Sequence, residues 1–311
     1  MSTTTVTPLP LESSSSRWLV RLSDYWELTR PKIALLVLAT VAAGAFLARW
    51  ALPDGWLLTS ALIGTALVAS GASIANQWLE RFTDRKMLRT ADRPLAAGRL
   101  GEIEALALVL ATTLPGLAIL WFGASPAAAL WAAASWLIYV VMYTPMKTMS
   151  VWNTQVGAIS GALPVIIGWT AIEGELSLRV VALTAIVFLW QFPHFMAIAW
   201  LYRGQYSQAG ILMLTVVDPS GRRAGAQAVV GAAAVLLVSA VPAWCAYTLS
   251  PAGALAYLAV ALVLGLLQLA CAAWFYLHPC ETSSRWLLRA SLVYLPGVLV
   301  MVVAIPWWHW V

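Results

Sequence analysis

The sequence predicts an all-α polytopic membrane protein with nine transmembrane helices, its N-terminus cytoplasmic and its C-terminus outside. Three observations carry this. Of the 311 residues, 61% are hydrophobic and only 10% are charged. A soluble domain carries about 25% charged residues, so too little polar surface exists here to cover a water-soluble globule. The apolar residues fall in long, continuous, Ala- and Leu-rich runs without the alternation of a barrel strand, and a helix satisfies its own backbone inside lipid. The basic residues segregate to alternate ends of those runs.

Runs near the roughly 20 residues that a bilayer core demands lie at about 32–50, 56–79, 103–122, 126–143, 152–170, 178–200, 225–248, 252–276 and 288–308. Of the 18 Lys and Arg residues, 16 precede or open the first run or follow the even-numbered runs; only Arg49 and Arg179 fall on the other side. Positive charge stays in the cytoplasm, which fixes the orientation. The net charge of +5 reflects this bias; because the basic residues flank membrane helices, no nucleic-acid partner is expected. Cys245, Cys271 and Cys280 show no metal or redox spacing. Residues 1–16, rich in Ser, Thr and Pro, are expected to form a disordered cytoplasmic tail, and 17–311 a single membrane domain.

The longest inner loops, 80–102 and 201–224, are where chemistry is expected. Asn76, Glu80 and Asp84 are spaced i, i+4, i+8 at the end of the second run, which puts them on one helical face. Two carboxylates and an amide oxygen are hard ligands suited to Mg²⁺, which commonly binds one or two carboxylates plus substrate phosphates. Arg89, Arg93 and Arg99 follow along a loop with Pro94 and Gly98, and arginine forks hold phosphate oxygens. Two readings fit this segment alone: a magnesium-bridged diphosphate site, or a solvated helix end with i,i+4 salt bridges and positive-inside anchors.

The fuller string, Asn76, Glu80, Asp84, Arg89-Thr90, Arg93-Pro94-Leu95 and Gly98-Arg99, resembles the signature of the intramembrane (UbiA-type) prenyltransferase superfamily. Within it the haem O synthase family is most similar. Leu28-Thr29-Arg30-Pro31-Lys32-Ile33 matches its opening motif. Tyr143-Thr144-Pro145-Met146-Lys147, Asn153 and Gly157 to Trp169 match its helix 4–5 region. Gln191-Phe192-Pro193-His194-Phe195 matches its helix 6 motif, and Tyr206 with Ala209-Gly210-Ile211-Leu212-Met213-Leu214 the loop beyond. The resemblance implies farnesyl transfer from farnesyl diphosphate to a vinyl group of haem b with water addition, giving haem O and diphosphate. It implies Mg²⁺ on Asn76, Glu80 and Asp84, the diphosphate on Arg89, Arg93 and Lys147, and haem on His194 and Tyr206. It further implies an inner-membrane enzyme handing its product to haem A synthase or a terminal-oxidase assembly factor.

This chain departs from the family in three ways, one being that the basic pair usual after Tyr-Thr is reduced to Lys147-Thr148. Glu80 stands where Asp is usual. Arg203-Gly204-Gln205-Tyr206 lacks the family's second acidic cluster, which leaves open whether a second magnesium ion binds there; nearby Asp218 suits a turn as well as a metal. Other residues stay open on their own chemistry. His194 is either a structural hydrogen-bonding group or, as an ionisable residue inside a membrane helix, functional. Lys147 is either an anion ligand or a positive-inside anchor. His278 and His309 suit the interface. Gly64, Gly71, Gly157, Gly161 and Gly168 either permit close helix packing or leave room for a porphyrin, and Pro164 and Pro193 are placed to kink helices around a cavity. The rival functions are a related prenyltransferase with an aromatic or quinone-precursor acceptor, and a non-catalytic haem carrier or transporter.

Overall fold

Short polar residues and prolines set where the helices begin in the computed structural model, which describes residues 14–310 and the side chains of 18–308. The tail expected over 1–16 lies outside the described residues, except that Ser14 opens a helix. The side chain of His309 also lies outside them.

Helix α1 (Ser14–Leu28) is amphipathic. Six membrane-length helices follow: α2 (Pro31–Arg49), α3 (Gly55–Asp84), α4 (Glu102–Ala124), α5 (Pro126–Met146), α6 (Asn153–Ile172) and α7 (Leu178–Leu201). Two short helices, α8 (Arg203–Ala209) and α9 (Leu214–Val217), precede α10 (Arg222–Ala246), α11 (Pro251–Leu277) and α12 (Glu281–Trp308). Among the described residues, nine helices are thus long and apolar enough to cross a membrane, and none of the described residues is in a strand.

The starts follow from capping. Asp54 accepts from the backbone N–H groups of Trp56 and Leu57 at the head of α3. Ser125 and Ser250 do the same for α5 and α11, each followed by proline in the first turn. Cys280 and Ser283 cap α12 reciprocally, which begins that helix seven residues before the expected 288.

The interior is built on close backbone approach. A Cβ on Gly168 of α6 would lie 1.8 Å from the Val41 carbonyl oxygen of α2, and one on Gly44 of α2 would lie 2.1 Å from that of Val165. Small residues let these two helices touch, and α6 becomes the most enclosed span. Each of the five glycines singled out in the sequence faces a neighbour rather than open space. Gly64 meets Leu120 and Gly116, Gly71 meets Thr113, Gly157 the Tyr143 ring, Gly161 Gln191 and Gly168 Val41. They serve packing, and none leaves room for a porphyrin. Both α6 and α7 run unbroken through Pro164 and Pro193. The outward surface is apolar, with Leu110, Leu130, Val181, Val263 and Val300 all exposed, as a lipid-facing belt requires.

One end of the bundle gathers the polar loops 85–101 and 202–221 and is called the polar end below. α1 is tied to it. The Leu28 carbonyl accepts from Ser73 Oγ at 2.7 Å and Gln77 Nε2 at 2.8 Å. Tyr25 and Arg21 bond Glu104, and Arg99 reaches Asp24 at 2.9 Å. The opposite face of α1 presents Trp18, Leu19, Leu22 and Trp26, all more than half exposed, an arrangement suited to the headgroup boundary.

Candidate active site

The thirty-residue length of α3 carries the acidic row past the apolar run while keeping it helical. Asn76 is 0% and Asp84 1% exposed, and the Glu80 side chain is 12% exposed, so the one face that their spacing gives them is turned to the protein interior. Their partners come from three directions. Asp84 Oδ2 accepts from Arg93 Nη1 at 2.7 Å. Glu80 Oε1 lies 2.5 Å from Lys147 Nζ. Asn76 Nδ2 donates to Thr144 Oγ1 at 2.9 Å.

That last bond settles the amide. The Thr144 hydroxyl donates its single hydrogen to the Tyr139 carbonyl at 2.8 Å, so its oxygen must accept, and Nδ2 is the donor. Asn76 Oδ1 is therefore turned away, buried and, among the described residues, without a partner, and Asp84 Oδ1 is in the same state. Buried polar atoms are nearly always satisfied; two orphaned oxygens one face-length apart, with Glu80 between them, are what a hard cation would satisfy. Among the described residues, no three of His, Cys, Asp and Glu gather as a ready-made metal cluster. Mg²⁺ does not need one when substrate phosphates complete its shell.

α5 delivers Tyr143, Thr144 and Lys147. Its last turns widen to π geometry over Ile138–Tyr143, just ahead of Pro145, which has no N–H to give; such wide turns are frequent at functional sites. Burial works against the Lys147 ammonium, but the Glu80 carboxylate outweighs it and holds the pKa above the ordinary lysine value. The Lys147 ammonium also lies 4.5 Å from the Tyr143 ring centre. Burial pushes the Arg93 guanidinium below its usual pKa, and the nearby Arg30 adds to this while Asp84 opposes it.

Arg30 is the residue that sequence reading passed over, treating it as part of a motif and a charge anchor. It sits between α1 and α2 at φ 49°, ψ 63°, a left-handed conformation that costs a non-glycine residue roughly 1–2 kcal/mol. Its carbonyl accepts from the backbone N–H of Ile33 and of Ala34, while its Nη2 is buried with no partner. Strain of this kind clusters at functional sites. The sequence signal was an arginine immediately before Pro31, where the chain must leave one helix and begin the next.

The remaining candidates divide. Arg89 is exposed, with its guanidinium 4.8 Å above the Tyr202 ring and its backbone N–H bonded to Gln205 Oε1 at 3.2 Å. That bond joins the two polar loops, and Met87, Tyr206, Ala209, Ile211 and Met213 pack together beside it. Tyr206 is pushed above its ordinary pKa by burial, against the pull of Arg89 and Lys147; its electrostatic neighbours are thus on the acidic-row side. His194 stands apart on α7, bonded to Ser291 of α12 at 3.0 Å. Arg99 binds Asp24, Glu27 and Asp92 and so fastens α1. Asp218 accepts from Ser220 and from the Arg223 backbone, which makes it a turn and cap for α10. An apolar groove of about 300 Å³ between α6 and α7 is lined by Leu163, Ile166, Val181 and Phe188 among others; none of the site residues borders it.

Comparisons with known proteins agree with this architecture. Residues 37–293 match the model of the UbiA prenyltransferase family. The chain is 44% identical over 287 residues to a protohaem IX farnesyltransferase of Rhodopirellula baltica, covering 88% of this chain and 97% of that protein. It is 42% identical over 287 residues to that of Solibacter usitatus, covering 88% and 96%. Among solved structures, a digeranylgeranylglyceryl phosphate synthase superposes with a TM-score of 0.75 at 16% identity, covering 92% of this chain and 98% of that one. A UbiA homologue from Archaeoglobus fulgidus bound to GPP and Mg²⁺ superposes with a TM-score of 0.61 at 15% identity, covering 90% and 99%.

Proposed function

Because the chain belongs to the UbiA prenyltransferase family, we propose that it moves the farnesyl group of farnesyl diphosphate onto a vinyl group of protohaem, with water addition, to give haem O and diphosphate. The observation that carries the chemistry is the pair of orphaned oxygens on Asn76 and Asp84 set beside the cations Arg93 and Lys147.

In this reading Asn76, Glu80 and Asp84 hold Mg²⁺. The ion supplies Lewis-acid neutralisation of the departing diphosphate. Arg93, Lys147, Arg89 and Arg30 bind the phosphate oxygens and stabilise the charge that grows there as the C1–O bond breaks, usually the largest catalytic term. The vinyl carbon attacks C1 as it becomes cationic. Water captures the porphyrin-side cation and releases a proton, leaving a hydroxyethylfarnesyl substituent. No protein nucleophile is used. Tyr143 walls the diphosphate from solvent and His194 binds the porphyrin. Tyr206, which the family resemblance puts with the haem, is assigned to the diphosphate instead, because Arg89, Lys147 and Glu80 are its charged neighbours. The missing acids at Arg203-Gly204-Gln205 favour one metal ion rather than two.

We place the protein in the inner membrane, amino terminus and polar end toward the cytoplasm and carboxyl terminus outside, on the strength of the basic residues. Arg49 and Arg179, the two at the far end, bond Glu173 and stack on Trp169. The product carries a long apolar chain on a porphyrin and passes onward to a haem A synthase or terminal-oxidase assembly factor.

The test is Asp84→Asn, which keeps the shape and removes the charge. With Mg²⁺, farnesyl diphosphate and haem b, the purified variant is expected to bind haem normally and lose farnesyl transfer by at least a hundredfold, followed by mass spectrometry of the pigment. Wild-type turnover would remove the metal assignment. A prenylated aromatic or quinone precursor, formed in place of haem O, would replace the acceptor.

A further inference from the structure

His194 is held more tightly than an accidental membrane histidine would be. Its Nδ1 lies 3.0 Å from Ser291 Oγ. Trp190, one turn earlier on α7, stacks on its ring at 4.8 Å with 22° between the planes, and the Trp190 indole N–H donates to the Ser291 carbonyl at 2.6 Å. The Phe195 ring lies nearby, tilted, with 5.7 Å between ring centres. Ser291 is fully buried and so receives α7 at two atoms, its carbonyl and its hydroxyl.

The hydroxyl has a single hydrogen to give. Ser291 Oγ donates to the Leu288 carbonyl at 2.7 Å, an atom that can only accept. Both contacts are satisfied together only if Oγ accepts from His194, which requires the hydrogen to be on Nδ1. A neutral imidazole carries one N–H, so Nε2 is left with a bare lone pair, and among the described residues Nε2 has no hydrogen-bond partner. A histidine that binds a metal through one nitrogen typically donates the other N–H to a fixed acceptor, which sets tautomer, ring orientation and basicity.

We infer that Ser291 is a positioning residue that fixes the Nδ1–H tautomer of His194 and presents Nε2 as the ligand to the iron of the haem substrate. This rests on the reading that His194 binds the porphyrin. The iron is gripped through a helix, α12, that contributes nothing to the acidic row, so porphyrin and diphosphate are held by separate parts of the bundle.

The experiment titrates haem b into the purified full-length protein and records affinity together with the iron–histidine stretch of the ferrous complex by resonance Raman. His194→Ala is expected to abolish that band. Ser291→Ala is expected to weaken haem binding about tenfold to a hundredfold and to move the band to lower frequency, since the imidazole loses its acceptor. Ser291→Thr, which keeps an oxygen, is expected to restore both. Ser291→Cys offers only a weak acceptor in nearly the same volume, and gives the same loss without a cavity should the alanine variant not fold. The Trp190 bond survives in every case because it goes to the backbone. If Ser291→Ala and Ser291→Cys keep wild-type affinity and band while His194→Ala loses them, the positioning role is overturned and the reading of His194 stands. If His194→Ala keeps the band, iron ligation by His194 fails, and the Ser291 inference with it.

Discussion

Asp84 and Arg93 form a buried pair, with side chains 2% and 18% exposed, and stability and function are expected to part company there. Removing one member of a buried pair strands the other and costs about 3–5 kcal/mol, whereas replacing both with apolar groups is often neutral. Asp84→Leu is therefore expected to lower the thermal unfolding midpoint sharply in detergent. The double variant Asp84→Leu with Arg93→Met should recover most of that loss and remain inactive. A double variant as unstable as the single one would mean that Arg93 is not stranded. At this scale the sequence said much. The i, i+4, i+8 spacing put Asn76, Glu80 and Asp84 on one face because a helix leaves no other choice. It was silent where contact depends on distant chain: that Lys147 meets Glu80, that Arg99 serves α1, and that Arg30 is left without a partner are tertiary facts.

Helix contacts, rather than propensities, hold the centre together. A Cβ at Gly168 would press on the backbone of α2, where no side chain exists to swing aside, so α2 and α6 would have to separate. Gly168→Ala is expected to cost about 1–3 kcal/mol, read as a lower unfolding midpoint, while Gly55→Ala, with nothing within 4 Å, serves as the unaffected control. Equal midpoints would remove the close approach as a source of stability. The nine spans were legible because a run of apolar residues long enough for a bilayer has few alternatives. Helix α1 was not, since its apolar residues recur on one face only, and a count of continuous runs passes over Trp18, Leu22 and Trp26. Helix ends differed where caps intervened, as at Cys280.

The whole molecule has one end rich in polar loops, and its cysteines can report which way that end faces. Cys280 is exposed at the head of α12, and hydrogen bonds from Ser283 hold its thiol below the usual pKa, which favours reaction with maleimide. Cys271 is buried. In a Cys245→Ser background, a membrane-impermeant maleimide is expected to label inverted vesicles and spare intact spheroplasts; the reverse pattern would invert the topology. Sidedness was read from the distribution of basic residues, since continuous apolar runs look the same from either side. The pairing of each acid with its own base also shapes how the idle protein treats the ions around it. With Glu80 matched to Lys147 and Asp84 to Arg93, the acidic row shows little net negative charge to abundant monovalent ions such as potassium. A visitor must bring both a strong positive centre for the acids and compensating anions for the bases that they release. Selection against the wrong salt is thus exercised by the paired side chains themselves, before any substrate has been recognised.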